Sequence, residues 1–119
     1  MANDEVSRTG EGLRKRLDEA EVLYETVAQL RKDLGEVDIS APPVGDGAFE
    51  LLRTSVKALL DDWQRAGSTQ LSRAINRVDL TERMVDQAMT RGGLHELAGT
   101  MVLRCLQKVL IRKRFAGTG

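Results

Sequence analysis

The 119-residue chain holds one cysteine, one histidine, two prolines, one tryptophan, one tyrosine and two phenylalanines. A lone cysteine, Cys105, closes no internal disulfide and excludes a zinc site built on cysteine pairs, so the reducing cytoplasm is the expected compartment. A lone histidine, His95, excludes a di-iron bundle, which needs two Glu-x-x-His pairs, and leaves nucleophilic catalysis a single imidazole base. So few aromatic residues give little platform for stacking nucleic-acid bases. No window approaches the roughly 18 apolar residues of a membrane span, and residues 2–12 are mostly polar rather than signal-like, so a soluble chain without a membrane partner is expected. No phosphate-cradling glycine loop follows a strand, because Gly92-Gly93 follow a helical pattern, and no cofactor is implied. Neither charge sign is in excess: 18 basic and 18 acidic residues cancel, which argues against a globally basic nucleic-acid binder.

What the chain does have is helical periodicity. With 30% charged and 3% aromatic residues and few β-branched runs, the composition favours an all-α fold in a single domain. Leu13, Leu17, Ala20, Tyr24, Val27, Leu30 and Leu34 recur by threes and fours, which predicts a long first helix over 12–34, ended by Gly35 with Arg31 and Lys32 near its negative pole. Residues 1–11 form a flexible N-terminus in this reading. Both prolines fall in a linker over 35–47, long enough to let the first helix swing away. A helical core over 48–115 follows, with a flexible tail over 116–119. Its second helix carries Phe49, Leu52, Val56, Leu59, Leu60 and Trp63, with Asp46 or Gly47 as cap and Ala66-Gly67 as stop. A third begins at Ser68 or Thr69 and closes at Gly92-Gly93, with a break near Asp79, where Asp79 could cap a new start and Leu80 leaves the stripe. The expected architecture is an antiparallel bundle of about four helices with coiled-coil-like packing, assembled as a dimer.

The fourth helix, from Leu94 to about Phe115, differs from the others because apolar residues cover about two thirds of its circumference, twice the usual stripe. It is expected either to be the most buried helix or to meet a partner through Leu103, Leu106 and Leu110. Charge is also polarised along the chain: residues 1–50 hold 12 acids and 6 bases, and the remainder 6 acids and 12 bases. Arg104, Lys108 and Arg112 recur every four residues beside the apolar arc, followed by Lys113 and Arg114. That basic stripe could contact phosphates; the preferred reading is that it faces the acidic flank of the first helix, Asp18, Glu21 and Glu25, within the same chain or across a dimer.

Three constellations bear on chemistry. His95 falls on the apolar arc and is expected to tuck against the core, and Cys105 is expected to be a small core residue. His95-Glu96-Leu97-Ala98-Gly99-Thr100 resembles the His-x-Leu-Lys-Gly-Ser stretch of histidine-phosphotransfer domains, with Ala98 where the motif has lysine; the resemblance implies His95 as phosphoacceptor in a helical bundle. Asp18-x-x-Glu21-x-x-x-Glu25 and Asp79-x-x-Glu82-x-x-x-Asp86 share a spacing that places three carboxylates on one helical face, suited to Mg²⁺. They resemble the Glu-x-x-Glu and Glu-x-x-Asp helices of all-α nucleotide pyrophosphohydrolases, although aspartate begins both sets, and imply a metal-dependent nucleotide hydrolase if the sets converge. A solvated acidic face is the simpler explanation. The function expected from these features is a non-catalytic scaffold or adaptor acting through self-association and helix packing against a protein partner. The alternatives are a small nucleic-acid-associated subunit, a Mg²⁺-dependent hydrolase and a phosphotransfer protein.

Overall fold

Glu19 decides where the first long helix begins. In the computed structural model, which describes residues 12–118, Glu19 has extended backbone angles (φ −89°, ψ 118°) and follows a 3₁₀ turn at Arg16–Asp18. Helix α1 therefore spans Ala20–Asp33, and the helix expected over 12–34 is two pieces. The break lets Leu17 enter the core fully buried while α1 starts its own apolar face with Val22, Leu23, Val27 and Leu30. Tyr24, which unbroken periodicity puts on the stripe, is rotated outward and is 55% exposed. The regions 1–11 and 119, and the side chains of 116–118, lie outside the described residues.

Gly35 ends α1 as its sequence position suggests, at φ 94°. The backbone N–H groups of Glu36 and Val37 both reach the Arg31 carbonyl, at 2.7 and 3.3 Å. The proline-bearing segment then lies on the core rather than swinging free: Ile39 is buried, and its carbonyl accepts from Arg31 Nε at 2.8 Å. Leu23, Leu30 and Leu34 are likewise interior, so the first helix packs on its own chain.

Helix α2 (Ala48–Arg65) starts after Gly47 and buries Phe49, Leu52, Val56, Leu60 and Trp63 along one face. Helices α3 (Gln70–Val78) and α4 (Glu82–Gly92) are separate elements. Asp79 closes α3 in the left-handed conformation (φ 71°, ψ 48°), and the cap of α4 is Thr81, whose Oγ1 accepts from Met84 N at 3.1 Å. Asp79 thus ends one helix instead of opening the next. Leu80, off the helical stripe, is buried all the same, because the sharp turn points it inward.

The last helix, α5 (Leu94–Thr118), packs against α1, α2, α3 and α4. That is why its apolar arc is so wide. Leu97, Ala98, Met101, Val102, Cys105, Leu106 and Val109 are each at most 1% exposed, and burial of one large apolar side chain contributes about 1.5–3 kcal/mol. Leu106, expected on a partner-facing surface, belongs to this interior. At Gly99 helix α2 comes close: a Cβ there would lie 3.0 Å from Arg53 Cδ and 3.5 Å from Phe49 Cζ. The Phe49 ring lies between the guanidinium groups of Arg14 and Arg53, 4.4 and 5.1 Å from its centroid. The described residues contain helices, turns and irregular segments only, with a Cα radius of gyration of 14.1 Å, close to the roughly 13–14 Å of a compact chain of this length.

Candidate functional site

The polar residues of α1 that face inward, Thr26, Gln29 and Asp33, continue the face begun by Val22 at spacings of four, three and four. All four are buried. Thr26 satisfies its hydroxyl locally by donating to the Val22 carbonyl at 2.8 Å. Asp33 is held from both sides: across the interface Lys108 Nζ donates to its Oδ2 at 2.8 Å and Cys105 Sγ lies 3.6 Å away, while Gln29 Nε2, one turn back on α1, donates to the same oxygen at 2.9 Å. Lys108 also donates to the Arg77 carbonyl at 2.8 Å, which ties α3 to the seam. Arg112 donates to Gln29 Oε1 at 2.6 Å, and Lys113 reaches Glu21 and Glu25 at 2.7 and 3.1 Å. The partner numbers fall along α5 as they rise along α1.

The basic side of α5 is therefore engaged within the chain, partly with the expected acids Glu21 and Glu25 and partly with Asp33 and Asp79. Lys108 takes Asp33, Arg104 takes Asp79 at 3.0 Å, and Lys113, one residue past the stripe, takes Glu21 and Glu25. Asp18 lies in the 3₁₀ turn and is exposed. Hydrogen bonding from Lys113 holds the Glu21 carboxyl below its ordinary range, and the reciprocal bonds from Glu21 and Glu25 raise the Lys113 ammonium. Arg53, three residues along α2, lowers Glu50 in the same way by a paired hydrogen bond.

The seam does not equip Cys105 as a nucleophile. Burial pushes its thiol well up, and the Asp33 carboxylate pushes it further, so it stays protonated and inert. His95 sits exposed in the first turn of α5, not against the core as its wheel position suggests, because that position precedes the first inward turn at Leu97. The carboxylate sets are each split by a helix break: Asp18 precedes α1 and Asp79 precedes α4. Glu21 and Glu25 are bridged by Lys113, Asp79 pairs with Arg104, and Glu82 and Asp86 are exposed on α4. Among the described residues no three histidine, cysteine, aspartate or glutamate side chains are placed to hold a metal ion. No helix there is long and apolar enough to cross a membrane.

Leu103 and Leu110 are half-buried at the edge of the core, while Ile111 and Phe115 are 49% and 69% exposed. Asp33 and Gln29 are the buried polar residues that periodicity in apolar residues alone passes over. Their signal was the polar continuation of the Val22 and Thr26 face. No family model, curated protein or solved structure matches this chain.

Proposed function

We propose that this protein is a non-catalytic helical interaction protein that associates with a second copy of itself through the outward face of α5. The observation that carries the reading is the exposure of Ile111 and Phe115, one turn apart on a helix whose other face already fills the core. Leu103 and Leu110, half-buried at the edge of the core, flank them along the same helix. Ile111 and Phe115 are the most exposed of the four. Apolar side chains repeated along one exposed helical face are the usual anchors of helix-on-helix association, and a two-fold pairing is the simplest closed form.

The chemistry left to the competing readings is meagre. A phosphate-binding role for the basic stripe would have to displace Asp79, Asp33 and Glu21 from Arg104, Lys108 and Lys113. A hydrolase would need carboxylates that converge, and a thiol nucleophile would need to ionise. Sedimentation equilibrium of the whole chain tests the proposal. A dimer that dissociates on dilution, and that Ile111→Ser with Phe115→Ser converts to a monomer with unchanged helicity, is the expected result. A monomer at every concentration, or a dimer indifferent to both substitutions, overturns it.

A further inference from the structure

On the side of the molecule where α1 ends and α3 runs past it, a polar cleft of about 380 Å³ opens to solvent. Gln70, Arg73 and Arg77 line it from α3, at the i, i+3 and i+7 positions of one face, and Lys32, Gly35 and Glu36 line it from the end of α1. Three cations thus meet one carboxylate. Among the described residues none of Lys32, Arg73 or Arg77 donates a side-chain hydrogen bond or makes an ion pair. This contrasts with α5, where Arg104, Lys108 and Lys113 are all matched to acids.

The backbone of Arg77 is anchored, and its side chain lies along Gly35. Its carbonyl accepts from Lys108, and its Nη1 lies 2.9 Å from where a Cβ on residue 35 would stand, so the glycine makes room for the guanidinium. Gly35 at φ 94° could not be another residue without strain, which fixes the wall on which Arg77 rests. The negative pole of α1 is muted there, because the carbonyls of Leu30, Arg31 and Lys32 already accept from the N–H groups of Leu34, of Glu36 and Val37, and of Gly35.

We infer that this cleft binds a phosphoryl-bearing anion. Guanidinium groups match the paired oxygens of a phosphate, and two of them with an ammonium can hold a multiply charged group that one surface lysine cannot. The cleft's lining offers Leu34 as the sole large apolar side chain and no aromatic ring, so charge rather than ring stacking selects the ligand. A small phosphorylated or polyphosphate anion fits this chemistry.

Pyrophosphate is the probe, titrated into the isotopically labelled full chain at constant ionic strength while amide resonances are followed. Saturable shifts are expected at Gly35, Glu36, Gln70 and Arg73. Arg73→Gln and Arg77→Gln should each weaken binding about tenfold, the loss expected of one charge-assisted contact. Arg83→Gln, an exposed cation on α4 outside the cleft, should leave it unchanged. Unsaturable shifts spread over the surface, equal weakening by Arg83→Gln, or a response to single-stranded oligonucleotide but not to pyrophosphate would overturn the inference. So would an Arg77→Gln protein that is merely less stable while wild-type chain ignores pyrophosphate, since Arg77 would then serve only the end of α1.

Discussion

Replacing Lys108 by methionine removes the cation of the Asp33 pair while keeping the length and apolar stem of the side chain. At 2.8 Å and an effective dielectric constant near 20, the direct attraction is about 6 kcal/mol, and desolvation of both ions offsets much of it. The cost of the substitution is set by what remains: an Asp33 side chain only 8% exposed, with Gln29 Nε2 and the weak Cys105 thiol as its remaining donors. Stranding one member of a buried pair costs about 3–5 kcal/mol, and the 21% exposure of the Lys108 side chain favours the lower end. About 3 kcal/mol corresponds to a fall in Tm of about 12 °C for a chain of this size. Asp33→Asn should cost less, about 1–2 kcal/mol, because asparagine still accepts from Gln29 and Lys108 keeps the Arg77 carbonyl. Asp33→Leu combined with Lys108→Met should cost less than the sum of its single changes by about 2 kcal/mol, since no charge is then left buried. Urea denaturation followed by far-ultraviolet circular dichroism gives all the corners of the cycle, with equal slopes as the check that the unfolded state is unchanged. Additivity within about 0.5 kcal/mol would refute the reasoning, because it would mean that the two side chains do not meet.

Glu21 should titrate below its ordinary value of 4.5 by carboxyl NMR, and Lys113→Gln should bring it back toward that value. The sign follows from the lowered acid: the stabilisation from this contact is complete above pH 4.5 and is lost as the pH falls through the depressed value, so acid unfolding of the Lys113→Gln variant should depend less on pH in that window. Gly35→Ala should lose about 1–2 kcal/mol in urea denaturation, from the left-handed backbone, whereas Gly12→Ala, with open space around it in a helical turn, should gain up to about 1 kcal/mol. Cys105 should resist thiol reagents at neutral pH until the chain unfolds, and rapid labelling of the native protein would contradict its burial.

Helix content was legible because apolar spacing by threes and fours is a local property of the chain. Gly35 and Gly67 marked helix ends for the same reason: both sit at positive φ, where a side chain is strained. What local spacing could not carry was the phase slip at Glu19, which turned Tyr24 outward, since the break is set by how Leu17 meets the core and not by any helix-breaking residue type. The wide arc of α5 had two readings, burial and partner, and the structure bears on the first: its inner part is consumed by packing against α1 to α4. Of the acids expected to face the basic stripe, Glu21 and Glu25 do so through Lys113, whereas Asp33, which lies off that acidic flank, takes Lys108. Its register with Lys108 exists only once α1 and α5 are docked. The cleft on α3 has no linear signature for a related reason, because Lys32 is about 40 residues from Arg73 and no local pattern joins them.

Everything proposed here requires that α1 be an integral part of the core, since a detached first helix would free Lys108 and Lys113 for other partners. Native-state hydrogen exchange measures this directly. The amides of Leu23, Val27 and Leu30 should exchange with the same protection as those of Met101, Val102 and Leu106, through opening of the whole molecule. Protection of the α1 amides lower by more than about 2 kcal/mol, with α5 still fully protected, would show the first helix opening alone and would contradict the account.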